Sequence, residues 1–206
     1  LYTYYAGLLF LLTFLLFFPF FYISAQKKTW HKLALRINYF WARIYFPMIF
    51  LRVELDIRFK VDRSKQFILC ANHFSYFDIP AIARIPIDSK FIGKNSIAAV
   101  PLFGYMFRKI HVTVDRSSLK SRASSMHKAR EELASGYNLT FFPEGGVKSN
   151  NIPQMVPFRD GAFRLSIENQ LPIIPVTFHS NFKILPDDGK FNLYPKRMKI
   201  VLHEPV

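Results

Sequence analysis

In the stretch ILCANHFSYFDIPAI, Ile68 to Ile82, an apolar run halts at Asn72-His73, and a carboxylate, Asp78, follows five residues after the imidazole. A general base needs a nitrogen within reach of the proton it takes, and an acidic partner fixes its tautomer and stabilises the imidazolium. Five residues is poor spacing for one helix face, where neighbours lie three or four apart. His73 is therefore expected in a loop before a helix, with Asp78 in the first turn reaching back. A structural alternative uses the same letters. Ser75-Tyr76-Phe77-Asp78 fits a capping box, in which Ser75 caps a helix and Asp78 returns a bond to the backbone. On that view His73 is only a polar residue where strand becomes loop.

Three further segments carry groups that could bind a ligand. In Gly93 to Arg116, Lys94 follows one apolar run and Arg116 follows another, and cations at strand ends suit phosphate. Taken alone, each reads first as a solvated surface charge. In LTFFPEGGVKSN, Leu139 to Asn150, a buried strand opens into Pro143-Glu144-Gly145-Gly146, where glycine lets backbone approach a ligand closely. Lys148 and Ser149 add donors. In LPIIPVTF, Leu171 to Phe178, Pro172 and Pro175 bracket an apolar strand, which suggests an edge or an interrupted ladder.

The elements that must position these groups follow from the apolar pattern. Strands are predicted at Val53–Phe59, Phe67–Ala71, Lys90–Ile92, His111–Val114, Leu139–Phe142, Ile173–Phe178 and Met198–Leu202. Helices are predicted at Phe77–Arg84, Pro101–Arg108, Leu119–Ala134 and Arg159–Asn169. Such alternation indicates an α/β fold with a mixed, largely parallel sheet flanked by helices. Sites in such sheets gather at the carboxyl ends of strands. His73 and Pro143-Glu144-Gly145-Gly146 both fall at such ends.

The first 51 residues differ in kind. Leu1 to Ser24 contains no charged residue, and at about 1.5 Å per residue it is long enough to cross about 30 Å of hydrocarbon. A signal peptide has a shorter apolar core after a positive region. Pro19 would kink a helix here or end it early. Lys27, Lys28, His31 and Lys32 follow with Trp30 among them, which under the positive-inside rule places the rest on the cytoplasmic side of an inner or cytoplasmic membrane. Leu33 to Leu51 is apolar but carries Arg36 and Arg43 seven residues apart, on nearly one helix face. We read it as an amphipathic interfacial helix whose arginines reach headgroups; a packed helix of the globular domain is the alternative. The expected organisation is thus a membrane-associated helical segment at 1–51, as a span or a submerged hairpin, and an α/β domain at 52–206. The chain starts at Leu1 and stops at LHEPV, so further residues are expected at both ends.

Composition narrows the partners. There are 28 Lys+Arg against 14 Asp+Glu, a formal net charge of +14, which calls for an anionic partner. Nucleic acid would account for the charge and leave the apolar N-terminus idle, so no nucleic acid is expected. One cysteine, Cys70, excludes an internal disulfide framework and cysteine-based zinc sites.

Taken in order and at these separations, the four segments resemble the four motifs of the 1-acylglycerol-3-phosphate acyltransferases, glycerolipid acyltransferases with an H-x4-D box. The resemblance runs from about Gln66 to Phe178. It implies His73 as catalytic base and Asp78 as its partner. It implies Arg116, Glu144 and Gly145 on the glycerol-phosphate part of the acceptor, with Lys94 and Lys148 as further cations there. Pro172, with Ile174 and Pro175, is implied to shape the acyl-donor side. The implied reaction moves a fatty acyl chain from acyl-CoA or acyl carrier protein to the free hydroxyl of 1-acylglycerol 3-phosphate, giving phosphatidic acid in phospholipid biosynthesis. The implied partners are the bilayer, the lysophospholipid and the acyl donor as co-substrate, with no cofactor and no metal. One departure stands out: the family's third motif commonly reads Phe-Pro-Glu-Gly-Thr-Arg-Ser, whereas Gly146-Val147-Lys148-Ser149 follow Gly145 here. Lysine keeps charge but not the bidentate fork, so the headgroup contact is open.

There is no G-x-S-x-G elbow, which disfavours an acyl-enzyme and favours direct attack of the acceptor hydroxyl on the thioester. The rivals are another lysolipid or glycerol 3-phosphate as acceptor, and a non-catalytic, membrane-anchored protein that binds anionic lipid. The latter has no use for His73 beside Asp78.

Overall fold

A computed structural model describes residues 1–95, 97, 100–115, 118–149 and 151–206. Arg116 lies outside the described residues. Seven strands form one sheet in the order β1-β7-β6-β2-β5-β3-β4, from Val53–Ile57 (β1), Ile68–Ala71 (β2), Ser89–Lys94 (β3), Val112–Val114 (β4), Asn138–Phe141 (β5), Ile173–Phe178 (β6) and Met198–Leu202 (β7). Among the described residues only the β6–β7 pair is antiparallel. The helices are α1 (Tyr2–Ser24), α2 (His31–Met48), α3 (Asp78–Ile82), α4 (Phe103–Ile110), α5 (Leu119–Ala134), α6 (Gly161–Asn169) and α7 (Asn181–Ile184).

Period-two alternation gives the sheet two apolar faces. Leu69, Ala71, Ile174 and Val176 share one core with α1 and α2. Ile68, Leu139 and Ile173 share the other with Ala129 and Leu133 of α5 and Ala162 and Leu165 of α6. With both faces covered, the central strands read as continuous hydrophobic runs rather than alternating ones.

Four expectations need correction. β6 is interior, between β7 and β2, and not an edge. The ladder is nonetheless interrupted at Pro175: β6 pairs with β7 at Val176↔Leu202, but Ile173 exchanges bonds with Val206, a register displaced by one residue. The helix predicted over Phe77–Arg84 is shorter. Beyond Ile82 the chain closes with tight turns, in which Arg84 N–H donates to Ala81 O and Ile85 N–H to Ile82 O. The helices predicted over Pro101–Arg108 and Arg159–Asn169 each begin two residues later, at Phe103 and Gly161.

The first two helices form an antiparallel pair keyed into the α/β domain. Tyr45 Oη donates to Ala6 O, and Trp41 Nε1 donates to Thr13 Oγ1, so each aromatic finds a polar partner inside the pair. Phe46 packs on Phe77 and Phe14 on Phe103, joining the pair to α3 and α4. Near the start of α2, fully buried Lys90 of β3 places Nζ 2.6 Å from Glu132 Oε2, 2.9 Å from His31 Nδ1 and 3.7 Å from the Tyr137 ring centroid. A buried ammonium is tolerated only with such partners. Arg36 does not stand clear for headgroups as expected: its Nε lies 3.2 Å from Asp88 Oδ2 of the domain. Among the described residues α1 is the one helix long and apolar enough to cross a membrane.

Candidate active site

His73 lies just beyond the carboxyl end of β2, beside the end of β5 that leads into Pro143 and Glu144. Its ring is almost buried and stacks on Phe142 with centroids 4.0 Å apart. Nδ1 faces Asp78 Oδ2 at 3.0 Å. The same Oδ2 accepts from the Phe74 and Ser75 backbone N–H groups, each at 3.0 Å, and Oδ1 accepts from Asn181 Nδ2 at 2.9 Å. A carboxylate has only acceptors to offer. Asp78 therefore accepts a hydrogen bond from Nδ1–H of His73, which leaves the lone pair on Nε2, on the far side of the ring. The capping box is only half formed. Asp78 accepts from the Ser75 N–H, and with the same oxygen orients His73, but Phe77 and not Ser75 is the N-cap of α3, and its side chain makes no capping bond. Ser75 Oγ accepts from Phe77 N–H and donates to Leu185 O, which fixes the turn.

Glu144 is buried, and both its oxygens serve the loops around it. His73 N–H donates to Oε1 at 2.7 Å and Val156 N–H to Oε2 at 3.3 Å. Its carboxylate therefore holds the backbone of the His73 loop. Gly145 has φ +78°, and a Cβ there would stand 2.7 Å from Arg159 Nε. The left-handed backbone calls for glycine, whereas the exposed Arg159 side chain is flexible and can move aside. Lys94 is exposed at the carboxyl end of β3, and Lys148 is exposed on the loop after β5. Lys94 is in register with Val114, two residues before Arg116.

The three residues implied for the donor side separate. Pro175 lines an apolar cavity of about 440 Å³ whose wall includes Asn72 and Phe74, the residues on either side of His73, together with Met155, Phe158 and Phe182. Ile174 is fully buried on the opposite face of the sheet, in the core shared with α1 and α2. Pro172 contributes its carbonyl to Ile68 N–H. Period-two alternation dictates this: Ile173 and Pro175 share a face and Ile174 cannot.

Four site residues were not singled out from the sequence. Asn181 grips Asp78 from 103 residues away. Asn72 clamps the strand ends, accepting from Phe178 N–H and donating to Phe178 O. Phe142 is the stacking platform, and Arg159 packs beneath Gly145. Only Asn72 and Phe142 carried a local signal, each adjacent to a motif residue.

A family model described as Acyltransferase matches residues 52–179. Similar proteins include the 1-acyl-sn-glycerol-3-phosphate acyltransferase of Chlamydomonas reinhardtii, 30% identical over 142 residues, which cover 68% of this chain and 42% of that protein. The enzyme of the same description from Saccharomyces cerevisiae is 30% identical over 159 residues, covering 73% and 52%. The lyso-ornithine lipid O-acyltransferase of Rhizobium meliloti is 29% identical over 112 residues, covering 54% and 37%. The chain thus spans about half or less of the length of these relatives. The crystal structure of the 1-acyl-sn-glycerophosphate acyltransferase PlsC from Thermotoga maritima matches with a TM-score of 0.77 at 22% identity, over 100% of this chain and 82% of that one. The fold is shared.

Proposed function

From the premise that this chain belongs to the acyltransferase family, we propose that it transfers a fatty acyl group from a thioester, acyl-CoA or acyl carrier protein, to the free hydroxyl of 1-acylglycerol 3-phosphate, yielding phosphatidic acid. The observation that carries this reading is the buried His73–Asp78 pair, held at 3.0 Å with Nε2 turned away from the carboxylate. The acceptor hydroxyl gives its proton to Nε2 as its oxygen bonds to the thioester carbonyl carbon. The tetrahedral intermediate expels the thiolate, which is protonated by Nε2–H, so that His73 returns to its neutral form. Asp78 keeps Nδ1 protonated throughout and steadies the imidazolium. The apolar cavity flanking His73 suits an acyl chain. Lys94, Lys148, Arg159 and Arg116 supply cations for the acceptor phosphate.

The hydrophobic pair α1–α2 is proposed to hold this site at the bilayer surface with the catalytic domain on the cytoplasmic side. Exposed Tyr4, Leu8, Leu12, Leu16 and Phe40 give the pair an apolar outer face suited to lipid. Another lysolipid acceptor is the second reading, favoured by Gly146-Val147-Lys148 where the family's arginine is usual.

The test is transfer by the purified chain of a labelled acyl group from acyl-CoA, and separately from acyl carrier protein, to a panel of acceptors. 1-Acylglycerol 3-phosphate, glycerol 3-phosphate, lyso-ornithine lipid and no acceptor are compared. Highest kcat/KM with 1-acylglycerol 3-phosphate supports the proposal. No transfer to any acceptor would leave the binding-protein alternative.

A further inference from the structure

Away from His73, Arg43, Arg52 and Arg84 come together without a counter-charge among the described residues. Arg36, Tyr39, Arg43 and Pro47 recur three or four residues apart, so they share one face of α2. That face meets the turn after α3. Two guanidinium groups approach the Tyr39 ring, with Arg43 Cζ 5.7 Å and Arg84 Cζ 6.0 Å from its centroid. Arg43 also donates to Tyr39 Oη at 3.2 Å. Arg84 lines a cavity of about 550 Å³ together with Pro47, Phe50, Leu51, Arg52 and Val53.

Arg84 Nε and Nη1 are both buried and have no hydrogen-bond partner. Buried donors are nearly always satisfied, and an exception calls for a missing water or ion. Arg36 of the same helix face has Asp88. Among the described residues, by contrast, no carboxylate pairs with Arg43, Arg52 or Arg84. Burial, and then the nearby Arg43, push the Arg84 guanidinium below its ordinary value. Arg84 and Arg52 both stand at the cavity wall, with Arg43 beside Tyr39 rather than in the wall, and like charges with unused donors are costly without an anion.

The rest of the cavity wall tells which anion. Phe50 is 72% exposed, and its ring stacks on Tyr5 of α1 with centroids 6.1 Å apart. The cavity rim therefore runs without a break into the exposed apolar face of the α1–α2 pair. A free phosphate would leave that wall unused, whereas a phospholipid places its phosphate on the guanidinium groups and its chains along Phe50 and α1. We propose that this cavity holds the phosphate of one anionic membrane phospholipid, at a site separate from the acceptor and donor sites. The assignment rests on the reading of the α1–α2 pair as membrane-associated.

The experiment titrates short-chain phosphatidylglycerol, neither substrate nor product of the proposed reaction, into the full chain in zwitterionic micelles. Calorimetry and native mass spectrometry read the result. One saturable lipid per chain is expected. Arg84→Gln is expected to weaken it about tenfold or more, and Lys27→Gln, an exposed cation on the same hairpin, by no more than about twofold. Thermal midpoints without lipid separate a ligand site from a structural role. Arg84→Gln removes a repulsion and is expected to melt no lower than wild type, and only its lipid-induced rise disappears. Should that variant fail to fold, Arg84→Lys keeps the charge without the fork and is expected to bind more weakly than wild type. Equal binding by wild type and the Arg84 variants, or no saturable stoichiometry, overturns the proposal. So does full competition by millimolar inorganic phosphate, which would make the site one for free anion. Flotation on purely zwitterionic vesicles tests the hairpin separately: a chain that ignores those vesicles yet binds phosphatidylglycerol in micelles loses the membrane reading and keeps the site.

Discussion

Glu144 holds His73 by its backbone and not by its ring: the His73 N–H donates to Glu144 Oε1 at 2.7 Å, while the imidazole turns to Asp78. With its other oxygen on Val156 N–H, the carboxylate ties the loop after β2 to the segment before α6. Glu144→Gln turns one acceptor into a donor facing an N–H. The expected outcome is a stability loss of about 1–3 kcal/mol by denaturant titration. A fall in kcat is expected to exceed any change in the acceptor KM. A defect confined to acceptor KM would return Glu144 to direct substrate binding.

For the pair itself, His73→Ala is expected to lower kcat by about 10²–10⁴-fold with fold and membrane partition retained. Asp78→Asn is expected to lose activity and stability together, because Asp78 accepts from two backbone N–H groups and Asn181 as well as from His73. Asn181→Ala removes only the Oδ1 partner and is expected to fall between them. Near-normal turnover in His73→Ala would end the catalytic reading of this box.

Arg116 follows β4 by two residues, and Lys94 ends the neighbouring β3. Arg116→Ala is expected to cost roughly 1.5–3 kcal/mol of acceptor kcat/KM through loss of a charge-assisted bond, with the acyl-donor KM little changed. Varying each substrate in turn decides it. A loss confined to the donor constant would move Arg116 to the other side of the site.

How much of this was legible in the letters depended on distance along the chain. The box was readable because His73 and Asp78 are five apart and their partners Phe74 and Ser75 lie between them. β6 and β7 were placed to the residue because apolar runs bounded by turn residues mark buried strands. Asn181, by contrast, reaches Asp78 only because β6 returns the chain to the end of β2. Nothing near residue 181 announces it. Lys90 looked like one more strand residue, because its Glu132 and His31 partners come from α5 and α2. Pro175 suggested an edge, since the proline penalty applies equally to an interior strand whose ladder shifts register. Arg36 was assigned to headgroups because Asp88, 52 residues away, could not be placed beside it.

His111 sets a pH dependence of stability. Its ring stacks on Phe91 at 3.9 Å, and Nδ1 accepts from the Phe91 N–H, which requires that nitrogen to be unprotonated. Burial, then Lys90 and His31, push it down to about 3. A depressed histidine is neutral when folded and binds a proton when unfolded. Its contribution is therefore complete above the unfolded value of 6.5 and is lost as pH falls from there toward about 3. Stability is expected to drop between pH 7 and 5 by up to about 1.4 kcal/mol per pH unit, less because the residue is only half-buried. His111→Gln, which keeps an acceptor, is expected to flatten that slope. An unchanged slope would assign the loss to other groups.

Phe77 immediately precedes Asp78, and its ring packs on Phe46 of α2 with centroids 5.7 Å apart. Through that contact the hydrophobic pair reaches within one residue of the Asp78 carboxylate, while Lys90, Glu132 and His31 fix the start of α2 to β3 and α5. A passive tether would need neither contact. Replacing residues 1–51 by an unrelated single span is therefore expected to preserve membrane partition and lower turnover on bilayer substrate. Phe46→Ala is a milder version: it leaves the outer apolar face intact and is expected to reduce kcat with partition unchanged. The two measurements are flotation with vesicles and initial rate on the same vesicles. Full binding with full activity in the chimera would reduce the segment to an anchor, whereas full binding with low activity would make α2 part of the support that holds Asp78 against His73.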